Sequence, residues 1–321
     1  MKIGTHNGSF HCDEVLAISM LRLLPEFKDA TLVRSRDMQV LNTCDVVVDV
    51  GYVYDPSRLR FDHHQPSFNE YFSENHTVTR LSSAGAVYKH FGKRIIKEIY
   101  GVTDEEDIND VYEAVYQRLI ESVDAEDNGV PIANAPQNYA VNTALSARIG
   151  RMNPSWVDTN ADVFQLFLDA MEVAIAEFDY HVNNYIRVHL AAKPKFLEVY
   201  KNRLQVHESG LVIETPRGMP FLHYLHRMEE AEQIPAEKRL AFYMNYEVAT
   251  QQWRATCIGD SKHKFSCRMR FPERLSGLKD AELQKASGIP GLQFIHRAGF
   301  TCGGATKESI LQLISLTINE S

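Results

Sequence analysis

Histidines and aspartates recur along this chain at spacings that suit metal ligation. His6, His11 and Asp13 fall in Thr5-His-Asn-Gly-Ser-Phe-His-Cys-Asp13, Asp49 follows Val46-Val-Val48, and Asp62-His63-His64 follows Arg60-Phe61. Asp124 and Asp127 lie in Ser122-Val-Asp-Ala-Glu-Asp127. Any one of them alone reads as a cap, a turn residue or a satisfied buried group. Together they matter more, because most of them come just where an apolar strand pattern ends. Imidazole mixed with carboxylate suits Mn²⁺, Fe²⁺, Co²⁺ or Zn²⁺ better than Ca²⁺ or Mg²⁺. About six to seven such ligands hold two ions if an aspartate bridges them, and two ions about 3.5–4 Å apart suit phosphoryl chemistry: they activate a water and neutralise charge at the attacked phosphorus. No side-chain nucleophile is then required, and the sequence offers neither a serine elbow nor a Walker loop.

Bringing these groups together requires a sheet whose strand ends face one way. Ile3 to Thr5, Thr31 to Val33, Val46 to Val48 and Leu59 to Asp62 read as strands, the β-branched runs being of the kind a parallel sheet buries on both faces. Between them, Asp13 to Leu24 predicts a helix with Val15, Ile18, Leu21 and Leu24 on one face, stopped by Pro25. Ser82-Ser83 can cap a helix running to Phe91. Thr103-Asp-Glu-Glu106 reads as a capping box opening a helix with Ile108, Val111, Val115 and Leu119 on one face. The alternation predicts an α/β domain with a doubly wound, mainly parallel sheet, whose ligands gather at the carboxyl ends of the strands. From Val157 to Leu190 a long helical pattern follows, expected to connect the domains. After Pro194 come short strand-like pieces at Leu211–Ile213, Leu240–Tyr246 and Trp253–Ile258. The boundaries are set at residues 1–192 for a metal-binding catalytic domain and 195–321 for a smaller C-terminal α+β domain.

The 321 residues allow two such cores. Hydrophobic residues make up 44% and charged residues 24%, and no apolar run approaches the roughly 18 residues a membrane span needs. A net charge of −8 gives no global basic footprint for long nucleic acid, although metal-bound aspartates would remove part of that acidity. The five cysteines are scattered and never form Cys-x-x-Cys, which excludes a cysteine-built zinc site and points to a reducing compartment, cytoplasmic or nuclear. No targeting segment precedes the first predicted strand. Local positive charge is available at Arg34 and Arg36, and in a stripe formed by Lys262, Lys264, Arg268, Arg270 and Arg274. Phe294-Ile-His-Arg297 with Gly299-Phe-Thr-Cys-Gly-Gly304 and Lys307 combines cations with a glycine-rich turn whose N–H groups could cradle a phosphate.

Asp62-His63-His64, with the His6…His11-x-Asp13 run and Asp49 before it, resembles the DHH phosphoesterase superfamily. More closely, Thr5-His-Asn-Gly-Ser-Phe-His-Cys-Asp-Glu14, Val48-Asp-Val-Gly51, Phe61-Asp-His-His-Gln65, Leu81-Ser-Ser-Ala-Gly85 and Asp127-Asn-Gly129 resemble the family of the melanocyte proliferating gene product, over essentially the whole chain. The resemblance implies a DHH-type catalytic domain and a metal-dependent 3′→5′ exonuclease acting on single-stranded RNA or oligonucleotides, with two divalent ions, Mn²⁺ first and Mg²⁺, Co²⁺ or Zn²⁺ as alternatives. It implies that His6, His11 and Asp49 hold one ion and Asp13, Asp49 and His63 the other, and that Asp124 or Asp127 completes the set. Asp124 is favoured because it follows the capped helix. His64 is then expected to face the substrate phosphate and Asp62 to orient the histidine pair. The resemblance also implies a C-terminal substrate-gripping motif at His296, Arg297, Gly303, Gly304 and Lys307, while Arg34 and Arg36, at the end of the second predicted strand, are candidates for contacting phosphate. His11 stands where the superfamily usually has aspartate, which bears on metal preference. Members occur in mitochondria and nucleus. A small-molecule phosphohydrolase for pyrophosphate, polyphosphate or cyclic dinucleotides uses the same metals and is the first alternative; a non-enzymatic metal-binding scaffold is the second.

Overall fold

The computed structural model describes residues 1–259 and 266–321. By contacts the chain divides into two compact units, residues 1–186 and 187–321. Each contains a mixed sheet of five strands, so the protein is a mixed α/β structure.

In the first unit the chain runs through β1 (Lys2–Thr5), α1 (Cys12–Leu21), β2 (Thr31–Arg34), the single turn α2 (Met38–Leu41), β3 (Val46–Val48), β4 (Tyr54–Asp55) and β5 (Arg60–Phe61). The strand order is β2-β1-β3-β5-β4, with β4 alone antiparallel to its neighbour. From β1 the chain moves to β2 on one side and then returns to β3 on the other. At such a reversal the loops leaving adjacent parallel strands part, and a crevice opens at the carboxyl ends of β1 and β3. Every residue of α1 is buried, including Asp13 and Glu14. A helix enclosed on all sides has no need of a polar face, which is why its apolar residues are not confined to one stripe.

Further helices pack around α1. The first, α3 (Ser83–Glu98), is capped by Ser82, whose hydroxyl oxygen accepts from Ala84 N, and it runs past the expected end at Phe91. Next, α4 (Glu105–Val115) is capped by Asp104, which accepts from Asp107 N at 3.0 Å, rather than by Thr103. It does not stop near Leu119. A π-helical turn, Tyr116–Ile120, carries it into α5 (Glu121–Asp127). Asp124 therefore lies within a helix and Asp127 is its last residue, the reverse of the expected placement. After α6 (Leu145–Gly150), α7 spans Val163–Asn184, capped by Asp162 rather than starting at Val157. A second π-helical turn, Tyr185–Leu190, leads to α8 (Ala191–Lys201). Pro194 stands inside α8 without ending it, and the helix continues to Lys201.

The second unit adds α9 (Arg203–Val206), β6 (Val212–Glu214), α10 (Leu222–Ala231), β7 (Phe242–Glu247), β8 (Gln252–Cys257), α11 (Asp280–Ser287), β9 (Leu292–Ile295), β10 (Thr301–Gly304) and α12 (Lys307–Glu320). Its strand order is β6-β7-β8-β10-β9, with only β6 and β7 parallel. Phe242, Met244, Ala255, Leu292 and Cys302 form one core with Ile310, Leu313 and Ile314 of α12. Among the described residues no helix is long and apolar enough to cross a membrane.

Of the basic stripe, Arg268, Arg270 and Arg274 belong to the described residues. Lys262 and Lys264 lie outside the described residues. Arg268 donates to both oxygens of Glu229 and to Leu240 O, Arg270 to Ala298 O, and Arg274 to Glu320.

One glycine of the first unit has a sharp steric role. A Cβ on Gly85 would fall on the carboxylate of Asp124. Gly85→Ala is expected to destabilise the protein by roughly 1–3 kcal/mol, the usual cost of overpacking a core; urea or thermal unfolding measures it, and an unchanged midpoint would show that this contact is loose.

Candidate metal centre

His6 is the first residue beyond β1. Its Nδ1 faces the carbonyl oxygen of Asn7 at 3.1 Å. A carbonyl only accepts, so Nδ1 carries the hydrogen and Nε2 is the free ligand atom of the neutral ring. Nε2 lies 3.0 Å from Glu14 Oε1 and 3.4 Å from Asp49 Oδ2. Glu14 is fixed in turn, because the backbone N–H of His11, at the start of α1, donates to its two oxygens at 3.1 and 3.0 Å. His6, His11, Glu14 and Asp49 thus present ligand atoms within 4.8 Å of one another. Glu14 had no assigned role in the sequence. Its signal was position N3 of a helix that His11 caps, a spacing that pulls the carboxylate back over the helix start.

Asp49 leaves β3 with φ of 57°. This left-handed conformation is tolerated by aspartate and is costly for most residues, and such strain collects at functional sites. The turn puts its carboxylate between two groups of ligands. On the far side, His63 Nε2 is 3.0 Å from Asp127 Oδ2, 3.5 Å from Asp49 Oδ1 and 3.8 Å from Asp13 Oδ2. Neither His63 Nε2 nor Asp49 Oδ1 has a hydrogen-bond partner, although both are buried. Leaving a buried polar atom unsatisfied costs about 1–3 kcal/mol. Nitrogen and oxygen atoms that converge without bonding one another fit a shared cation, and Asp13, His63 and Asp127 form a second group within 4.8 Å.

Asp13 is held from behind. Its Oδ1 accepts from Ser82 Oγ at 2.6 Å and from Ala84 N, and its Oδ2 accepts from Ser83 N at 3.1 Å. The N-terminus of α3 is thereby turned onto a ligand carboxylate, where the helix dipole favours negative charge.

Asp124 does not join either group, and Asp127 takes the place expected for it. The Asp124 carboxylate is consumed elsewhere: Oδ1 accepts from Ser82 N and Gly85 N at 2.9 and 3.0 Å and lies 2.7 Å from Ser82 Oγ, and Oδ2 accepts from Tyr116 Oη at 2.9 Å. Burial pushes it up to about 7 against the lowering effect of these bonds. The π-helical turn sets this arrangement, aiming Tyr116 at Asp124 and leaving the end of α5 to present Asp127.

His64 is the exposed member of its pair. Asp62 is buried and accepts from the His64 ring at Nδ1 (2.7 Å) and from His64 N (3.0 Å) through Oδ1, while Tyr52 N donates to Oδ2 at 2.5 Å. Asp62 therefore orients His64 directly, with the Nδ1 hydrogen directed to Asp62 and Nε2 left for another partner. The same bond raises the His64 pKa above its ordinary value, ahead of an opposing contribution from partial burial.

Arg34 is engaged within the protein. Its guanidinium donates to His6 O at 3.2 Å and Gly8 O at 2.8 Å, and lies 4.7 Å from the centre of the Phe167 ring. It braces the loop carrying His6 and His11. Asn153, which the sequence did not single out, closes the same loop: Phe10 N donates to its Oδ1 at 2.8 Å and its Nδ2 donates to Phe10 O at 2.7 Å. Arg36 is exposed just after β2.

The whole chain can now be set beside known proteins. Residues 2–318 match the family described as "MYG1_exonuc: Uncharacterised protein family (UPF0160)". The human MYG1 exonuclease is 40% identical over 99% of this chain and 85% of its own length. The chain belongs to this family. Its relatives carry the name of an exonuclease, a class of hydrolase. Among solved structures, a pGpG-specific phosphodiesterase, PggH from Vibrio, aligns over 99% of this chain and 98% of its own with 16% identity and a TM-score of 0.28. Exonuclease RecJ bound to manganese aligns over 99% and 89% with 13% identity and a TM-score of 0.24. Both superpositions are weak, and membership of the MYG1 family rests on the sequence match.

In the second unit, the motif expected to grip substrate is only partly available. Gly303 and Gly304 lie inside β10, paired with Arg254 and Trp253 of β8, and do not form an exposed cradle. A Cβ on Gly303 would strike the Phe294 ring, and one on Gly304 would come 2.5 Å from Ser309 Oγ, so both glycines serve packing. Lys307 Nζ is paired with Glu214 at 2.6 Å. His296 and Arg297 are exposed between β9 and β10, with His296 Nδ1 accepting from Ala298 N at 3.1 Å.

The carboxylates draw protons onto the rings they surround. Burial opposes charge on His6, but Asp49 and Glu14 outweigh it and raise it to about 10; His63 is raised in the same way by Asp127 and Asp49. An imidazole must be neutral to ligate a metal. Titration with Mn²⁺ near pH 7.5 is therefore expected to release protons, and affinity is expected to fall as pH is lowered. Calorimetry in two buffers of different ionisation enthalpy reads the proton count; proton-neutral binding would contradict this picture of the site.

Proposed function

We propose that this chain is a phosphodiesterase dependent on two divalent metal ions, with Mn²⁺ as the leading candidate, and that it degrades single-stranded RNA or oligonucleotides from the 3′ end. The observation that carries the metal reading is the position of the Asp49 carboxylate, with Oδ2 3.4 Å from His6 Nε2 in one ligand group and Oδ1 3.5 Å from His63 Nε2 in the other, the last two atoms being buried without a hydrogen-bond partner. The exonuclease name borne by relatives supports the nuclease reading. RNA and direction rest on the family resemblance of the motifs.

In this reading His6, His11, Glu14 and Asp49 hold one ion, and Asp13, His63 and Asp127 hold the other with Asp49 between them. Ions bound there supply Lewis acidity toward phosphoryl oxygens and lower the pKa of water. The Asn7 carbonyl keeps His6 in the tautomer that offers Nε2. The N-terminus of α3 keeps the Asp13 carboxylate aimed. His64, whose bond to Asp62 favours the protonated ring, would offer Nε2–H to a phosphate oxygen and stabilise charge that grows there. His296 and Arg297 are exposed polar side chains that the second unit offers to a nucleotide chain. Free cysteines suit an intracellular setting.

Incubation of 3′- and 5′-labelled single-stranded RNA with Mn²⁺ tests the reading. Stepwise shortening from the 3′ end is expected, with Asp49→Ala lowering the rate roughly 10²-fold or more, since even outer partners of metal ligands cost 10–100-fold. Intact RNA together with phosphate release from pyrophosphate would replace it with a small-molecule phosphohydrolase, a reading that the net charge of −8 favours.

A second test concerns pH. Activity is expected to fall as pH rises through the His64 pKa, where the ring loses its charge. Asp62→Asn removes the carboxylate that holds this pKa up, so the alkaline limb of kcat/KM should move to lower pH. A limb that stays in place would remove His64 from the mechanism.

A further inference from the structure

Asp124 is completely buried and lies outside both ligand groups. Its carboxylate is nevertheless linked to Asp13 through a single side chain, Ser82. Ser82 Oγ sits between two carboxylates, 2.7 Å from Asp124 Oδ1 and 2.6 Å from Asp13 Oδ1, and accepts from Ala84 N at 3.2 Å. Asp124 Oδ1 also takes the backbone N–H groups of Ser82 and Gly85. It thus binds the first turn of α3 at two backbone positions and one side chain. That turn in turn supplies the three donors that hold Asp13: Ser82 Oγ, Ser83 N and Ala84 N. The space for this contact is made by Gly85, where any Cβ would collide with Asp124. Tyr116 Oη, delivered by the π-helical turn, anchors the far oxygen of Asp124.

We infer that Asp124 is a positioning residue for Asp13, acting through the Ser82 hydroxyl and the first turn of α3 to keep Asp13 Oδ2 turned toward His63 and Asp127. The consequence is geometric. Asp13 Oδ1 is occupied by Ser82 and Ala84, so Asp13 can offer a cation only the remaining lone pair of Oδ2, and the carboxylate cannot rotate without breaking bonds on both oxygens. The inference rests on Asp13 being a metal ligand, and it assigns to Asp124 a role behind that ligand in place of ligation itself.

A residue that merely caps α3 would affect stability alone, so the decisive readout is the affinity for Mn²⁺ alone, measured by calorimetry on the full chain, with circular dichroism and thermal unfolding in chelator as controls. Ser82→Ala is expected to fold and to bind Mn²⁺ roughly tenfold or more weakly, as loss of an outer partner does. Asp124→Leu should weaken binding to a similar extent. The double variant should be no weaker than the weaker single one, because both changes break the same link. Asp124→Asn retains an acceptor at Oδ1 and should restore affinity close to that of the unaltered chain. If Asp124→Leu does not fold, Ser82→Ala and Asp124→Asn still decide. A folded Ser82→Ala chain that binds Mn²⁺ as tightly as the unaltered protein, or losses that simply add, would overturn the inference. RNA cleavage plays no part in these readings, so a failed nuclease assay would leave their outcome intact.

Discussion

Four carboxylates, those of Asp13, Glu14, Asp49 and Asp127, converge on one crevice, and the first three are buried. Like charges at such spacing repel, and removing an ionised carboxylate from water costs several kcal/mol unless it is paired. Asp13 shows the strain: burial first, then the charges of Asp49 and Asp127, raise its pKa well above the ordinary range. Asp49 goes the other way. Burial opposes its charge, but His6 and His63 on either side outweigh burial and hold it below the ordinary range. Backbone N–H groups and two imidazoles make the cluster tolerable, and positive charge between the carboxylates is what the arrangement favours.

Much of the first unit serves that balance. The reversal of strand order at β1 and β3 brings His6 and Asp49 to adjacent strand ends, and the left-handed turn at Asp49 directs its carboxylate into the gap. The enclosed helix α1 carries Asp13 and Glu14 to opposite groups from neighbouring positions. From the next layer, α3 contributes the N–H groups that hold Asp13, and Asp124 holds α3. Arg34 and Asn153 close the loop between His6 and His11 from outside. Rigidity is therefore supplied by neutral or fully paired groups, which leaves the unpaired atoms of Asp49 and His63 facing the centre.

What was legible in the sequence was the part governed by local rules. The β-branched runs gave β1, β2, β3 and the place where Asp49 leaves the sheet, and Ser82 was readable as the cap of α3. The less legible features depend on tertiary context. Nothing local announces that Tyr116–Ile120 adopts π-helical hydrogen bonding, and that single change moves Asp124 into a helix and hands its expected place to Asp127. Arg34 was visible as a cation at a strand end, but Phe167, which it stacks on, comes from α7, more than a hundred residues later. Gly303 and Gly304 looked like a turn because glycine has that role in most loops. Their reason for being small, the Phe294 ring and the Ser309 hydroxyl, exists only once β9, β10 and α12 are packed.

The most direct test of the account is an anomalous difference map from crystals grown with Mn²⁺. Two peaks are predicted on either side of the Asp49 carboxylate, one contacting His6 and Glu14, the other contacting Asp13, His63 and Asp127, with Asp124 touching neither. A single peak away from Asp49, a peak ligated by Asp124, or no peak at saturating Mn²⁺ would contradict it.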